Sequence, residues 1–233
     1  MQSKILTVVA IAEIAAACAF PGVARADELN NVVRIGYAEV RPNGSSSDLT
    51  GPSGTTPPGI GMAVNDLHAL AFSYERKLSP YWAVQFQGGV PPTVNAVGAG
   101  AASGVGTVAT ARIWFPSMLA IYTFADVPLI RPYIGVGMTY TFFTSEKATQ
   151  AYTAAFQGTS SSAKLSSSWG PTLRVGVEYP FDERWSLRAE YTTYRLRTNA
   201  TVVTETPGLG AISRSTDIKG YPRILGVSLG YSF

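Results

Sequence analysis

The sequence predicts an all-β protein: an eight-stranded antiparallel transmembrane β-barrel with short periplasmic turns and four long extracellular loops. The clearest evidence is residues 131–143, RPYIGVGMTYTFF, where side chains alternate with a period of two. One face is apolar and carries Ile134, Val136, Met138, Tyr140 and Phe142. The other face is small or weakly polar and carries Tyr133, Gly135, Gly137, Thr139 and Thr141. Such a strand is typical of a barrel wall that meets lipid on one side.

Eight segments show this alternation, and each is predicted as a strand: residues 32–41, 67–77, 81–88, 117–125, 131–143, 168–180, 185–197 and 221–233. Short turns follow the second, fourth and sixth segments, whereas long loops follow the first, third, fifth and seventh. The second loop, residues 89–115, is expected to hold a short helix or a hairpin near residues 105–114. Alternation of short and long connections is typical of outer-membrane barrels.

A soluble β-sandwich is the alternative for eight strands, but its outward face should be polar. Here the faces without charge carry large apolar side chains, among them Trp82, Phe86, Tyr122, Phe142 and Trp185. The chain has 23 Gly, 15 Pro and only 14% charged residues, which suits strands and turns. Beyond the N-terminal segment there is no uncharged apolar run near 18 residues. The composition therefore favours a membrane barrel.

The N-terminus predicts export. Lys4 precedes an apolar run at residues 5–20, and Ala24-Arg25-Ala26 follows Pro21-Gly22, as in a bacterial signal peptide. We expect residues 1–26 to be removed and residues 27–233 to form a single barrel domain in the outer membrane of a Gram-negative bacterium. Acylation at Cys18 is the alternative, but residues 15–18 match a lipoprotein signal poorly.

The mature chain is expected to carry little net charge and no cysteine. Without Lys4, Arg25 and Glu13, the 18 basic and 15 acidic residues become 16 and 14, which gives no reason to expect a nucleic-acid partner. The only histidine, His68, has no serine near it in the alternation, so no enzyme site is predicted. We likewise expect no cofactor and no transition-metal site.

The expected mature chain resembles a known family along its whole length in strand order, less so in the loops, and three segments carry the resemblance. The run MLAIYTF at residues 118–124, followed by RPYIGVG at 131–137, resembles the most recognisable block of the OmpW family. Residues 185–188, WSLR, and the terminal Tyr231-Ser232-Phe233 are similar to it as well. The resemblance implies a monomeric barrel in outer-membrane lipid whose narrow lumen passes small hydrophobic molecules, with lateral release into the membrane. A terminal aromatic such as Phe233 is common in such barrels as a signal to the assembly machinery.

The predicted inward faces suggest two groups of lumen residues. Small side chains at several inward positions, such as Gly135 and Gly137, leave room in the lumen. Charged inward residues are expected to form a paired network in the periplasmic half, because a buried charge is tolerable only when paired; they are Arg34, Glu75, Arg174, Glu178, Arg188 and Glu190. Such a network would also stop an apolar solute from passing straight down.

Toward the outer end the inward residues become apolar and predict a chamber for an apolar ligand; they are Leu67, Leu119, Ile121, Phe143, Tyr194, Leu196 and Ile224. Ordinary lumen packing is the alternative. If the lumen is fully packed, the barrel would instead have a structural role, with its surface loops acting in adhesion or as a receptor.

Overall fold

The computed structural model describes residues 30–233, which form fifteen strands and one short helix. The predicted signal peptide lies outside these residues. The elements, in chain order, are β1 (Asn31–Arg41), β2 (Gly44–Ser46), β3 (Ile60–Val64), β4 (Leu67–Lys77), β5 (Trp82–Gly89), β6 (Thr93–Gly100), β7 (Thr107–Trp114), β8 (Ser117–Thr123), β9 (Arg131–Ala148), α1 (Gln150–Ala155), β10 (Ser160–Leu165), β11 (Ser168–Pro180), β12 (Trp185–Tyr194), β13 (Leu196–Thr206), β14 (Gly210–Gly220) and β15 (Arg223–Ser232).

Eight of the strands close into an antiparallel barrel. They follow one another around the wall in the order β1, β4, β5, β8, β9, β11, β12 and β15. Pairing of β15 with β1 and of β9 with β11 completes the ring, with Val33 opposite Tyr231 and Val175 opposite Ile134. A closed ring has no free edge, so every strand finds its backbone partners without water.

The barrel is apolar outside and polar inside. Outward side chains such as Ile35, Val136 and Val227 are each more than half exposed in the isolated chain, while Arg34 and Arg188 on inward positions are 5% and 1% exposed. This is the reverse of a soluble protein and fits a wall surrounded by lipid. In the described part of the chain, no helix is long and apolar enough to span a membrane.

The eight predicted membrane strands and the barrel prediction are confirmed, but the long loops differ from the expected irregular segments. The remaining strands form an outer extension of the barrel, here defined as β2, β3, β6, β7, β10, β13, β14 and the upper part of β9. Strands β13 and β14, of eleven residues each, make one hairpin, and β6 and β7 make another. The β6–β7 hairpin, rather than a helix, therefore occupies the second loop. The unpredicted α1 begins after Thr149, whose side chain caps it.

Candidate functional site

The periplasmic half of the lumen is closed by a buried ion-pair network. Arg188 donates from Nη1 to Glu75 Oε2 at 2.8 Å, from Nε to Glu178 Oε2 at 3.0 Å and from Nη2 to the same Glu178 oxygen. Arg34 donates from Nη2 to Glu178 at 2.7 Å and from Nη1 to Ser186 Oγ at 3.0 Å. Two arginines thus share two carboxylates, which offsets much of the cost of burying these charges.

A second arm of the network lies higher in the barrel. Arg174 donates from Nε to Thr192 Oγ1 at 2.8 Å and from its two terminal nitrogens to the side-chain oxygens of Gln85 and Gln87. Glu190 lies 3.6 Å from Arg174 and accepts a 2.8 Å hydrogen bond from the Tyr133 hydroxyl. The six predicted charged residues are therefore all in the lumen, and neutral polar side chains connect them.

Glycines make room for these long side chains. A Cβ on Gly230 would meet the Arg34 guanidinium, and a Cβ on Gly176 would lie 2.6 Å from the Tyr133 hydroxyl. Gly226 faces the Glu190 side chain in the same way, at 3.2 Å. Small inward residues were expected to leave the lumen open. In the lower barrel they instead accommodate the charged and aromatic side chains that fill it.

An apolar cavity of about 330 Å³ lies above the network, inside the upper barrel and the outer extension. Four predicted ligand-binding residues, Leu67, Phe143, Tyr194 and Leu196, line this outer cavity. The extension supplies further lining residues that the sequence argument missed, among them Met62, Val94, Ala111, Ala163, Leu165, Val202 and Ile218. Alternating small and apolar residues on β13, such as Ala200 and Val202, carried a signal for this inward face.

The prediction is corrected for Leu119 and Ile121, which lie lower in a separate cluster with Ala83 and Tyr133. They are 1% and 0% exposed and do not line the outer cavity. The physical reason is the glycine opposite: a Cβ on Gly135 would lie 2.6 Å from Ile121 Cδ1 and 3.3 Å from Leu119 Cδ2. These two side chains fill the space that Gly135 leaves.

A smaller cavity of about 220 Å³ lies at a break in the barrel wall and is lined by both inward and outward residues. This cavity is called the wall gap below. Pairing of β5 with β8 ends at Gln87 and Ser117, and pairing of β6 with β7 begins at Thr93 and Arg112. The chain between these ladders contains Pro91, Pro92 and Pro116, which have no N–H to donate. The wall therefore loses its continuous ladder here.

The wall gap adjoins the outer cavity. Ile113 and Tyr194 line both spaces, and Ile224, the remaining predicted ligand-binding residue, lines the gap. Luminal Ala38 and Thr139 and outward Leu70 also border the gap. An apolar molecule in the outer cavity is thus separated from the lipid side by a short stretch of wall lined mostly by apolar groups.

A buried cluster packs on the outer extension side of the cavity. Leu49, Val108, Tyr152 and Val202 form it, and burial raises the pKa of the Tyr152 phenol. Arg214 is 2% exposed, lies 4.0 Å above the Phe156 ring and donates from Nη2 to the Thr55 carbonyl at 2.9 Å. This cluster holds the extension together around the cavity.

The fold and lumen define a small outer-membrane β-barrel: an eight-stranded wall, a polar base closed by ion pairs and an apolar space above it. The OmpW family model matches residues 28–233, and the chain belongs to the OmpW family. It is therefore a protein of the bacterial outer membrane.

Relatives and solved structures agree with this assignment. The chain is 27% identical over 234 residues to outer membrane protein W of Vibrio cholerae, covering 97% of this chain and 99% of the relative. It is 27% identical to the dibenzothiophene metabolism operon protein PahQ of Pseudomonas aeruginosa, over 75% of this chain and 77% of that protein. The crystal structure of OprG from Pseudomonas aeruginosa matches with a TM-score of 0.76 at 25% identity, covering 88% of this chain and 95% of that one. The AlkL structure in lipid bilayers shares the fold, with a TM-score of 0.65 at 21% identity over 92% and 95% of the two chains.

Proposed function

We propose that the protein passes small hydrophobic molecules from the cell exterior into the outer membrane through the outer cavity and the wall gap. The observation that carries this proposal is the position of an apolar cavity directly above a closed polar base. A molecule that leaves water for the cavity gains free energy in proportion to the apolar area it buries. Continuing downward would require it to separate buried ion pairs, so the lateral route costs less.

The cavity size supports a compact ligand. An apolar cavity of about 150 Å³ is large enough for benzene. The outer cavity, at about 330 Å³, is therefore suited to a hydrocarbon of about two rings such as naphthalene. The name of the relative PahQ, a dibenzothiophene metabolism operon protein, is consistent with this ligand class.

The lining contains few groups that could bind a hydrophilic solute. The polar residues at the cavity include Thr198, Ser46 and the exposed Lys164 and Lys219, whereas most of its surface is aliphatic or aromatic. We also propose that the barrel works as a monomer in lipid. Recognition of Phe233 by the assembly machinery stays a prediction.

Gly88→Trp tests the lateral route. Gly88 borders the wall gap on the outward parity of β5, opposite Phe72, and a Cβ there would have no heavy atom within 4 Å. An indole at this position can therefore cover the lipid-side mouth of the gap without displacing the wall. Cells that express the protein should take up N-phenyl-1-naphthylamine faster than cells without it, and Gly88→Trp should reduce the initial rate to the level without the protein. The rate is followed by the rise in probe fluorescence.

Gly104→Trp is the matched control, because Gly104 also has open space around it but lies in the turn between β6 and β7. It should leave the uptake rate unchanged. Both variants are compared with the parent by electrophoresis of unheated samples, which separates folded from unfolded barrels. Equal rates for folded Gly88→Trp and the parent would reject the lateral route.

The alternative is a structural barrel whose outer surface serves in adhesion or as a receptor. The closed lower lumen favours it, because side chains fill this half and no continuous pore is needed for stability. The two functions differ in their use of the cavity. A structural barrel would show neither protein-dependent uptake nor saturable naphthalene binding to the purified protein.

A further inference from the structure

Four exposed basic side chains form a ladder on one side of the barrel. Arg41 and Arg223 are directly opposite in the β1–β15 register, and Arg197 and Lys219 are opposite in the β13–β14 register. Arg41, Arg197 and Arg223 alternate along their strands with buried residues, which places them on the outward face. Lys219 is exposed between the half-buried Ile218 and Gly220. These four residues are called the basic ladder below.

The basic ladder lies immediately above the lipid-facing belt. Along β15, outward Val227 and Leu225 are 54% and 46% exposed and are followed by Arg223 at the upper end. Along β1, outward Tyr37, 53% exposed, is followed by Glu39 and then Arg41. The outward face thus changes from apolar to charged at this height, where lipid headgroups of the outer leaflet would lie.

The ladder carries positive charge that the chain itself balances only in part. Like charges directly opposite on neighbouring strands destabilise a sheet. Arg41 has one partner, Glu39, at 2.7 Å. Within residues 30–233, Arg197, Lys219 and Arg223 make no ion pair, and the nearby Asp217 carboxylate accepts a hydrogen bond from Asn199. An anion from outside the chain would relieve the repulsion in both pairs.

The spacing and position of the ladder indicate the kind of anion. The ladder has a lower row, Arg41 and Arg223, and an upper row, Arg197 and Lys219. Lys219 and Arg223 are four residues apart along the chain, which corresponds to about 13 Å between the rows in extended backbone. The opposite side of the barrel is aromatic at comparable positions, with Trp114 stacked on Phe142 at 5.7 Å and Tyr140 near Trp169 at 4.7 Å. The paired basic residues are therefore on one side of the wall, whereas the aromatic side carries the exposed Arg112.

We propose that the basic ladder binds the headgroup of lipopolysaccharide, the phosphorylated glycolipid of the outer leaflet, with one phosphate at each row of the ladder. The lower row, Arg41 and Arg223, holds the phosphate nearer the acyl chains, which then lie along the apolar belt of β1 and β15. The upper row, Arg197 and Lys219, holds the second phosphate. Arginine pairs suit phosphate because their N–H groups match its oxygens in geometry and charge. The lower row lies apart from the solute route, whereas Lys219 of the upper row also borders the outer cavity.

Binding is tested with the purified full-length barrel in detergent by native mass spectrometry, using lipid A with two phosphates as the probe. Arg41→Gln/Arg223→Gln should weaken binding roughly thirtyfold, about fivefold for each charge removed next to an anionic surface. Arg197→Gln/Lys219→Gln should weaken it similarly. Lipid A with a single phosphate should bind the parent more weakly than the form with two.

Arg112→Gln is the matched control, since Arg112 is an exposed arginine of the outer half on β7, on the aromatic side. It should leave the affinity unchanged. A loss of about fivefold in Arg112→Gln, equal per charge to the loss in the ladder variants, would overturn the proposal, because attraction would then depend only on net charge. Equal binding of phosphatidylglycerol and lipid A would overturn it too, since the site would not distinguish the glycolipid. Arg41→Lys/Arg223→Lys keeps the charge but loses the guanidinium geometry, so it should bind more weakly than the parent and more tightly than Arg41→Gln/Arg223→Gln.

Discussion

Replacement of Arg188 by methionine should destabilise the barrel strongly, because this guanidinium bonds both Glu75 and Glu178. After its loss, Glu178 keeps Arg34 at 2.7 Å, but Glu75 keeps only the amide of Gln85 at 3.1 Å. An unpaired charge would remain on Glu75, which is 3% exposed. Breaking a buried pair costs about 3–5 kcal/mol, and we expect Arg188→Met to fall in this range.

The double variant Glu75→Gln/Arg188→Met isolates the cause. It removes the unpaired carboxylate and leaves the Arg34–Glu178 pair in place, so it should recover about 2 kcal/mol or more relative to Arg188→Met alone. Arg34→Met is expected to cost less than Arg188→Met, because Glu178 would still be bonded to Arg188.

Unfolding in urea with lipid vesicles, followed by tryptophan fluorescence, measures these free energies. All four tryptophans lie among the described residues, and Trp185 adjoins Ser186 on the strand that carries Arg188. If the loss of unfolding free energy in Glu75→Gln/Arg188→Met equalled the sum of the losses in Glu75→Gln and Arg188→Met, the pairing of these two residues would be refuted. Equal losses for Arg34→Met and Arg188→Met would contradict the ranking of the two arginines.

Three further predictions concern the wall, the outer cavity and the extension. Gly137→Val should cost about 3 kcal/mol of unfolding free energy, since its Cβ would meet the Met118 carbonyl oxygen; a parent-like urea midpoint would contradict this. Leu196→Arg should reduce N-phenyl-1-naphthylamine uptake by placing a charge in the outer cavity, whereas Leu209→Arg in an exposed turn should not. Arg214→Met should speed amide hydrogen exchange at the Thr55 end of its hydrogen bond, and unchanged exchange would show that this contact does not hold the segment.

The barrel strands could be predicted because their pattern is local. Residues 67–77 and 168–180 match the bounds of β4 and β11, since lipid on one side and lumen on the other impose a strict alternation on each strand. The outer extension could not be predicted equally well. Its strands are short or rich in Ser, Thr and Ala, and they form because partners distant in the chain, such as β2 and β14, are brought together.

The site shows the same division between local and distant information. The alternation of inward and outward positions identified the six charged residues of the lumen. It could not show which of them pair, because partners such as Arg34 and Glu178 lie 144 positions apart in the chain. The alternation also could not show how high in the lumen an inward residue lies. Residues 117–125 are apolar on both faces, so Leu119 and Ile121 were assigned to the upper chamber although they pack below it. The wall gap depends on where two ladders end, which only the pairing reveals.

Because glycines face Arg34, Tyr133 and Glu190, the base of the barrel is closed by these large side chains and not by the backbone wall itself. Each large side chain in the base occupies volume that its glycine neighbour has left free, so truncation of the large partner alone would leave space across the lumen. Substitutions in the base are consequently coupled, because replacing one of these glycines by a larger residue requires a smaller side chain at the position it faces. A barrel with this wall could therefore gain a narrow opening at its base through a few paired substitutions, with no change in the number of strands.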